Sequence, residues 1–244
     1  MSFFMQAVGD SAVKIQFQDD VTPSLNRRIQ LFSRKLYNHR IEGVVEWVPA
    51  YDSLTVYYQP HQIRYRDLCQ KLDQVFQLES EANEAGGGLI TIPVVYGGDN
   101  GPDLERVAAV NELSADDVIT LHTRNTYLVY MLGFLPGFPY LGGLDKRIAT
   151  SRLEEPRGKI SAGSVGIAHE QTGIYPIESP GGWNIIGKTP IQLFDVHKEN
   201  AFLLRPGDEV RFSQIDETDY KMIEQQISDG TFKIGTVIKD AKLS

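Results

Sequence analysis

The sequence predicts an α+β protein of two domains, in which a small domain of alternating strands and helices precedes a larger domain of short strands. The 244 residues exceed the usual size of one compact domain. Residues 79–88 read ESEANEAGGG, and a polar stretch that ends in glycines is typical of a domain boundary. We therefore expect one domain at residues 1–85 and a second at residues 89–244.

The first domain shows the periodicity of a split β-α-β unit. Residues 12–17 alternate apolar and polar side chains, as half-buried strands do, and residues 44–48 and 54–58 predict two more strands. Between the first two strands, apolar residues recur at helical spacing, at Leu25, Ile29, Phe32 and Leu36. A second helical stripe follows, at Tyr65, Leu68, Cys69, Leu72, Val75 and Phe76. A βαββα order with a following strand predicts a ferredoxin-like split βαβ domain.

The second domain is predicted to begin with a strand at residues 89–96 and two short helices at 103–113 and 114–123. The second helix opens at Ser114, whose hydroxyl can accept hydrogen bonds from free backbone amides. Beyond these helices, strands alternate with Gly/Pro turns, at residues 127–132, 165–168, 183–186, 191–194, 202–204 and 209–215. Residues 218–228 predict a closing helix. Short strands at this spacing predict a barrel or a sandwich.

Composition and charge argue against several classes of protein. The 24 basic and 32 acidic residues give a net charge of −8, which repels phosphate backbones and anionic lipid, so we expect no nucleic-acid or membrane partner. The N-terminus lacks a signal-peptide pattern, and we expect a cytoplasmic protein. Cys69 is the single cysteine, and the five histidines show no ligand spacing, so we expect no metal site.

One motif matches a nucleotide-binding spelling. Residues 182–189 read GWNIIGKT, which fits the phosphate-loop pattern G-x-x-x-x-G-K-[ST]. That loop needs a helix that begins at the lysine, whereas the apolar residues before Lys188 favour a strand and Pro190 disfavours helical dihedrals at Thr189. We therefore predict a strand here and keep Lys188 as a point charge for an anion.

Two runs rich in glycine, proline and aromatic residues are the candidate functional segments, at residues 133–143 and 162–190. Glycine lets a backbone approach a ligand closely, proline stiffens a loop, and aromatic side chains supply apolar walls. In this interpretation, the two runs converge to line a shared cavity. The same composition suits barrel corners filled by aromatic side chains, and composition alone does not separate the two interpretations.

These runs also carry a resemblance to a known family. The segments GFLPGFPYLGG, PRGKISAGSVGIA, QTGIYPIESPGGW, IGKTP and LLRPGDEVRF, in this order, resemble the B-subunit family of 5-oxoprolinase. That family is also known as allophanate hydrolase subunit 1, and it includes an inhibitor of a sporulation kinase. The resemblance implies a C-terminal cyclophilin-like β-barrel. It further implies a complex with two partners, a homologous C subunit and a third, named the A subunit, which together use ATP to open 5-oxoproline to L-glutamate.

The chemistry of lactam opening suggests two sets of candidate residues. Developing negative charge must be stabilised and water must be positioned, and the candidate catalytic residues are Arg157, Gln171, Thr172 and Lys188. The candidate substrate-binding residues are Phe134, Pro136, Gly137, Phe138, Tyr140, His169, Tyr175, Ser179, Gly181, Gly182, Trp183 and Thr189. We expect ATP to be used by the complex and the chain to be inactive alone.

Two other functions remain open at this point. A barrel with an aromatic groove could bind a helical bundle, so the chain could inhibit a sporulation-type histidine kinase. The family's second name allows a third function, the hydrolysis of allophanate with release of ammonia.

Overall fold

The computed structural model describes residues 3–78 and 87–238, and the chain divides into two compact units, Met1–Ala85 and Gly86–Ser244. Most of the predicted linker, residues 79–86, lies outside the described residues. Among the helices that the structure describes, none is both long and apolar enough to cross a membrane.

The first unit is a four-stranded antiparallel sheet with two helices. Its elements are β1 (Phe3–Val8), β2 (Ala12–Phe17), α1 (Pro23–Asn38), β3 (Val44–Pro49), β4 (Ser53–Tyr58) and α2 (Tyr65–Gln77). The strand order is β1-β2-β4-β3, so β4 lies between β2 and β3, which α1 connects. This is the split βαβ arrangement, and it confirms the ferredoxin-like prediction for this unit.

The source of the fourth strand differs from the expectation. We expected a strand after α2 to complete the sheet, and this was wrong. The edge position beside β2 is occupied by β1, which forms a hairpin with β2 through a turn at Gly9, where φ is +64°. Positive φ costs glycine little, so this tight turn can bring an N-terminal strand to that edge.

Both helices bury their apolar stripes against the same sheet. The predicted residues of α1, Leu25, Ile29, Phe32 and Leu36, are all buried. In α2, Leu68, Leu72 and Val75 are buried in the same core. Each stripe is amphipathic at helical spacing, so burial of one face stabilises the helix and covers the sheet.

The second unit contains ten strands and three helices among its described residues. Its elements are β5 (Gly88–Tyr96), α3 (Leu104–Val110), α4 (Ala115–Arg124), β6 (Thr126–Leu132), β7 (Pro139–Gly142), β8 (Arg157–Ile160), β9 (Ser164–Ala168), β10 (Gln171–Ile174), β11 (Ser179–Gly181), β12 (Asn184–Lys188), β13 (Glu209–Gln214), α5 (Glu217–Ser228) and β14 (Thr236–Ile238). Short 3₁₀ turns lie at Gly98–Asn100 and Lys146–Ile148.

Seven of these strands form a closed barrel in the order β12-β9-β10-β7-β6-β13-β5, with β12 pairing back to β5. The β5–β13 pair is parallel, and the other barrel pairs are antiparallel. β14 pairs with the first residues of β5, and β8 and β11 form a separate ribbon. The closed barrel confirms the predicted barrel and fits the cyclophilin-like description.

Two predicted strands of this unit do not form. Residues 191–194 and 202–204 make only an isolated bridge between Phe194 and Phe202. Conversely, β7, β8, β10 and β11 were not predicted. These strands have three or four residues each and contain glycine or proline, so their alternation is too short to recognise.

The phosphate-loop spelling lies in a strand, as predicted. Residues Asn184–Lys188 form β12 and pair with β9 and β5, and no helix begins at Lys188. The amides of a phosphate loop must curl around an anion, and those of a paired strand point to neighbouring strands. The match of residues 182–189 to the phosphate-loop sequence pattern is therefore a chance match.

Candidate active site

The two Gly/Pro/aromatic runs converge, and their aromatic side chains pack together. The ring centroid of Phe138 lies 5.2 Å from that of Tyr175 and 5.4 Å from that of Trp183. These three side chains are 1 %, 1 % and 5 % exposed. Tyr140, which is partly buried, lies 5.1 Å from Phe138. These four residues are the aromatic cluster. Its buried members fill the space that we expected to be an open cavity.

Two glycines make this packing possible. A Cβ on Gly173 would lie 2.9 Å from the carbonyl oxygen of Pro139 and 3.1 Å from ring atoms of both Phe138 and Trp183. A Cβ on Gly181 would lie 2.2 Å from the hydroxyl oxygen of Tyr175. Both distances are too short for a carbon atom, so the cluster requires glycine at these positions.

The two phenols of the cluster are kept neutral near pH 7. Burial raises the pKa of Tyr175 and of Tyr140, and the guanidinium of Arg152 opposes the shift of both pKa values. The hydroxyl of Tyr175 also accepts a hydrogen bond from the backbone N–H of Trp183. Neutral phenols can donate hydrogen bonds, whereas phenolates cannot.

Arg157, a predicted catalytic residue, forms an ion pair with Asp103. Its Nη1 and Nη2 atoms each donate to one carboxylate oxygen of Asp103, at 2.7 Å. The backbone N–H of Ile185 also donates to this carboxylate, at 2.7 Å. The hydrogen bonds to Asp103 raise the pKa of Arg157. This bidentate pair fixes β8 against β12 and the start of α3, and the side chain of Arg157 stays 34 % exposed.

A second polar group, Asn184, holds the segment that follows the Lys146–Ile148 turn. Asn184 is completely buried, and its Oδ1 accepts a hydrogen bond from Arg106. Its Nδ2 donates to the carbonyl oxygen of Ser151, at 2.9 Å, and to that of Ile167, at 3.1 Å. The amide thus uses both ends of its side chain, and the backbone at residue 151 is anchored to β12.

Thr172, another predicted catalytic residue, belongs to a buried chain of hydrogen bonds. Its Oγ1 donates to the carbonyl oxygen of Gly166, at 3.0 Å, and lies 2.9 Å from Nε2 of His122. The Nδ1 atom of His122 lies 2.8 Å from the hydroxyl of Tyr96. The proton of Thr172 is already donated, so Nε2 of His122 donates to Thr172, and Nδ1 accepts from Tyr96.

Burial of this imidazole decides its charge. Desolvation lowers the pKa of His122 to about 3, so the ring is neutral at physiological pH. The ring also stacks on Phe212, with centroids 4.4 Å apart. Thr172 and His122 are both 0 % exposed. The hydroxyl of Thr172 therefore stabilises the barrel interior in this structure and does not face a substrate.

Other predicted residues lie around or away from the cluster. Phe134 is 66 % exposed with φ +68°, and its ring makes an edge contact with Phe138. Lys188 is the last residue of β12 and lies five residues after Trp183 in the sequence. Its side chain is partly exposed, and a Cβ added to Gly163 would lie 3.6 Å from its Cγ. The backbone N–H of Gly163 donates to the carbonyl oxygen of Tyr175, at 2.7 Å.

The remaining predicted residues have mainly structural surroundings. Gln171 and His169 border the β9–β10 turn, where His169 is exposed, has φ +54° and exchanges backbone hydrogen bonds with Thr150. The hydroxyl of Thr189 accepts from the N–H of Ile191. Pro136 is exposed, and Gly137 is buried with φ +81°. Ser179 is buried, and its hydroxyl donates to the carbonyl oxygen of Pro180. Gly182 is partly buried, and its carbonyl oxygen accepts from the N–H of Leu153.

Sequence reasoning missed the partners that position the site. Asp103 and Asn184 lie 54 and 78 residues from the arginines that they bind, Arg157 and Arg106 respectively. His122 lies 50 residues from Thr172. No local spacing links residues so far apart, although a histidine on the apolar stripe of α4 was a signal for a buried role.

A separate cleft of about 380 Å³ lies beside the loop that precedes β13. Its lining includes Leu132, Phe202, Leu204, Arg205 and Pro206. Within residues 3–78 and 87–238, no three His, Cys, Asp or Glu side chains are grouped as metal ligands.

Comparison with known proteins first defines the class. The model of the carboxyltransferase domain, subdomain C and D, matches residues 3–204. The chain is 42% identical over 233 residues to the B subunit of 5-oxoprolinase from Bacillus subtilis, with 91% of this chain and 97% of that one covered. It is 43% identical over 205 residues to the corresponding B subunit from Escherichia coli O157:H7, with 84% and 93% covered. The chain belongs to the B-subunit family of 5-oxoprolinase.

A solved structure shares this fold. The protein TTHA0988 superposes with a TM-score of 0.75 and 37% identity over 84% of this chain. The matched part is 40% of TTHA0988, so this chain spans about two-fifths of that protein.

Proposed function

We propose that the chain is the B subunit of an ATP-dependent 5-oxoprolinase that opens 5-oxoproline to L-glutamate. The observation that carries this proposal is the 42–43% identity to two proteins that are named as this subunit, along more than nine-tenths of their length. The name of these relatives supports a complex, in which a homologous C subunit and a third, the A subunit, are the proposed partners.

The chemistry of the reaction explains why ATP is required. Resonance gives the lactam C–N bond partial double-bond character and makes the carbonyl carbon a poor electrophile. Phosphorylation of the carbonyl oxygen by ATP would withdraw electrons from that carbon. Water can then attack the carbon, and the C–N bond breaks as the ring nitrogen takes a proton to become the amine of glutamate. A second water hydrolyses the resulting acyl phosphate, so that the products are glutamate, ADP and inorganic phosphate.

The surroundings of the aromatic cluster suit binding better than proton abstraction. Its polar groups are the phenols of Tyr140 and Tyr175 and the guanidiniums of Arg152 and Arg157, which donate hydrogen bonds at neutral pH. The neutral imidazole of His122 is buried in hydrogen bonds of its own. We propose that the chain binds and orients substrate while its partners supply the ATP chemistry, so that it is inactive alone.

Reconstitution tests this function directly. The purified chain, mixed with the C and A subunits, should convert 5-oxoproline to glutamate only when ATP is present, and leaving out this chain should stop glutamate production. Absence of glutamate from a fully assembled complex would contradict the proposal. Arg157, Gln171 and Lys188 remain proposed catalytic groups within it.

The same complex separates the alternative functions, which remain predictions. Allophanate hydrolysis would release ammonia from allophanate in the absence of 5-oxoproline. If the chain is a kinase inhibitor, the chain alone would lower the autophosphorylation of a sporulation-type histidine kinase. The complex would then show no ATP-dependent formation of glutamate.

A further inference from the structure

The residues before and after Arg152 both form hydrogen bonds with the residues on either side of Trp183, a member of the aromatic cluster. The carbonyl oxygen of the preceding Ser151 accepts from Asn184, at 2.9 Å. The N–H of the following Leu153 donates to the carbonyl oxygen of Gly182, at 2.8 Å. Gly182 and Asn184 are the chain neighbours of Trp183. The Cα of Arg152 is thus positioned beside the cluster by hydrogen bonds to a barrel strand and the residues before it.

The charge of Arg152 is available to a ligand. Its side chain is exposed, and within the part of the chain that the structure describes its guanidinium makes no hydrogen bond or ion pair. Arg157, by contrast, is already neutralised by Asp103. The positive charge of Arg152 reaches both phenols of the cluster, since it acts to lower the pKa of Tyr140 and of Tyr175.

The neighbouring surface includes a partly exposed aromatic ring. Tyr140 is the partly exposed member of the cluster, and its ring lies 5.1 Å from Phe138 and 6.3 Å from Trp183. These contacts hold the ring of Tyr140 in place against buried rings. A small planar ring can lie against such a surface, and the phenol is a neutral hydrogen-bonding group.

We propose that Arg152 binds the carboxylate of 5-oxoproline while the lactam ring lies against Tyr140. This inference rests on the proposed function and adds the residue that selects an acidic lactam. A guanidinium presents two parallel N–H groups that match the two oxygens of a carboxylate. A lactam without the carboxylate would lose this contact, so Arg152 is a specificity-determining residue.

The test is a kinetic comparison in the assembled complex. Arg152→Gln should raise KM for 5-oxoproline by about 10- to 100-fold, as expected for loss of a charged hydrogen-bonded pair, with little change in kcat. Arg152→Lys keeps the charge and should recover part of the loss. Arg211→Gln, which removes another exposed arginine on β13, is the matched control and should leave KM unchanged.

A second probe removes the charge from the ligand. The amide of 5-oxoproline, which has no carboxylate, should inhibit the wild-type complex weakly and should inhibit the Arg152→Gln complex about as strongly as the wild type. If the wild-type complex makes glutamate and Arg152→Gln leaves KM unchanged, the Arg152 inference alone is overturned. If the assembled wild-type complex makes no glutamate, the proposed function and this inference are both overturned. Should Arg152→Gln fail to assemble, an unchanged KM for 5-oxoproline in Arg152→Lys would overturn the inference.

Discussion

Single residues of the aromatic cluster can occupy their places only because neighbouring positions are glycines, where a side chain would not fit. Gly181 faces the hydroxyl of Tyr175, and an added Cβ would lie 2.2 Å from that oxygen. Gly158, on the adjacent strand of the same ribbon, has no atom within 4 Å of an added Cβ. The two glycines therefore form a matched pair for substitution, in which only one touches the cluster.

We expect Gly181→Ala to displace Tyr175 and to reduce stability by about 1–3 kcal/mol, the usual effect of overpacking. Gly158→Ala should change stability by less than about 1 kcal/mol, because the new methyl group meets open space. Urea unfolding monitored by tryptophan fluorescence measures both effects. Equal losses for the two variants would show that Tyr175 does not depend on the space at Gly181.

At this scale, sequence reasoning identified side chains with a distinctive composition around them. Phe138, Tyr175 and Trp183 stand in Gly/Pro-rich runs and were predicted. Arg152 was not, because an arginine between a serine and a leucine carries no local signal. Thr172 was assigned to catalysis, but its burial depends on the pairing of β10, which residue type does not reveal.

At the scale of elements, His122 connects three parts of the second unit. It lies on α4, and its two ring nitrogens bond Tyr96 at the end of β5 and Thr172 on β10. Its carbonyl oxygen accepts from the hydroxyl of Tyr127 on β6, at 2.7 Å. The neutral imidazole thus fixes a helix to two strands, and Nδ1 can accept the hydrogen bond from Tyr96 only while the ring stays unprotonated.

Stability should therefore depend on pH through His122. Its pKa is about 3 in the folded protein and 6.5 in the unfolded chain, so the unfolded state binds a proton first as pH falls. The contribution is fully present above pH 6.5 and is lost as pH falls from there towards 3, by about 2 kcal/mol at pH 5. His122→Gln should be less stable at pH 8 but should lose less stability between pH 8 and pH 5.

Urea unfolding at several pH values measures this difference. For each protein, the change in unfolding free energy from pH 8 to pH 5 is measured, and the value for the variant is subtracted from that for the wild type. The contributions of other titrating groups cancel in this difference, because both proteins contain them. Parallel pH profiles for the two proteins would show that His122 does not titrate on unfolding as described.

At the element scale, helices and strands with longer sequence patterns were the ones that could be predicted. The helices α1, α2 and α4 were predicted because they have apolar stripes or a cap; Ser114 and Asp117 form the reciprocal hydrogen bonds of a capping box. The apolar segment at residues 191–194 was predicted as a strand but lies in an irregular loop. Its apolar side chains, Ile191 and Leu193, are buried in the barrel core. A loop that buries alternate residues has the same alternating sequence pattern as a half-buried strand, so the sequence does not distinguish the two.

At the scale of the whole molecule, the two units have separate hydrophobic cores. The first core contains Ile15, Phe32 and Leu72, and the second contains Ile92, Tyr127 and Phe212. Among the described residues, no buried side chain is common to both clusters. A unit with its own core can fold alone in principle, and we propose that the two units are independent domains.

We expect a fragment of residues 87–244 to unfold cooperatively, with a melting temperature within a few degrees of one transition of the full chain. Differential scanning calorimetry of the fragment and the full chain makes the comparison. A fragment that shows no cooperative transition would indicate that the second unit needs the first in order to fold.

The pairing of β14 with β5 has a consequence for how this barrel is built into proteins. Gly88, where the barrel strand β5 begins, lies opposite Ile238 of β14. The first residue of the barrel and the last described residue of the chain therefore lie beside each other. A module whose two attachment points are adjacent can be spliced into a longer polypeptide, or joined at either end to further modules, without opening the ring of strands.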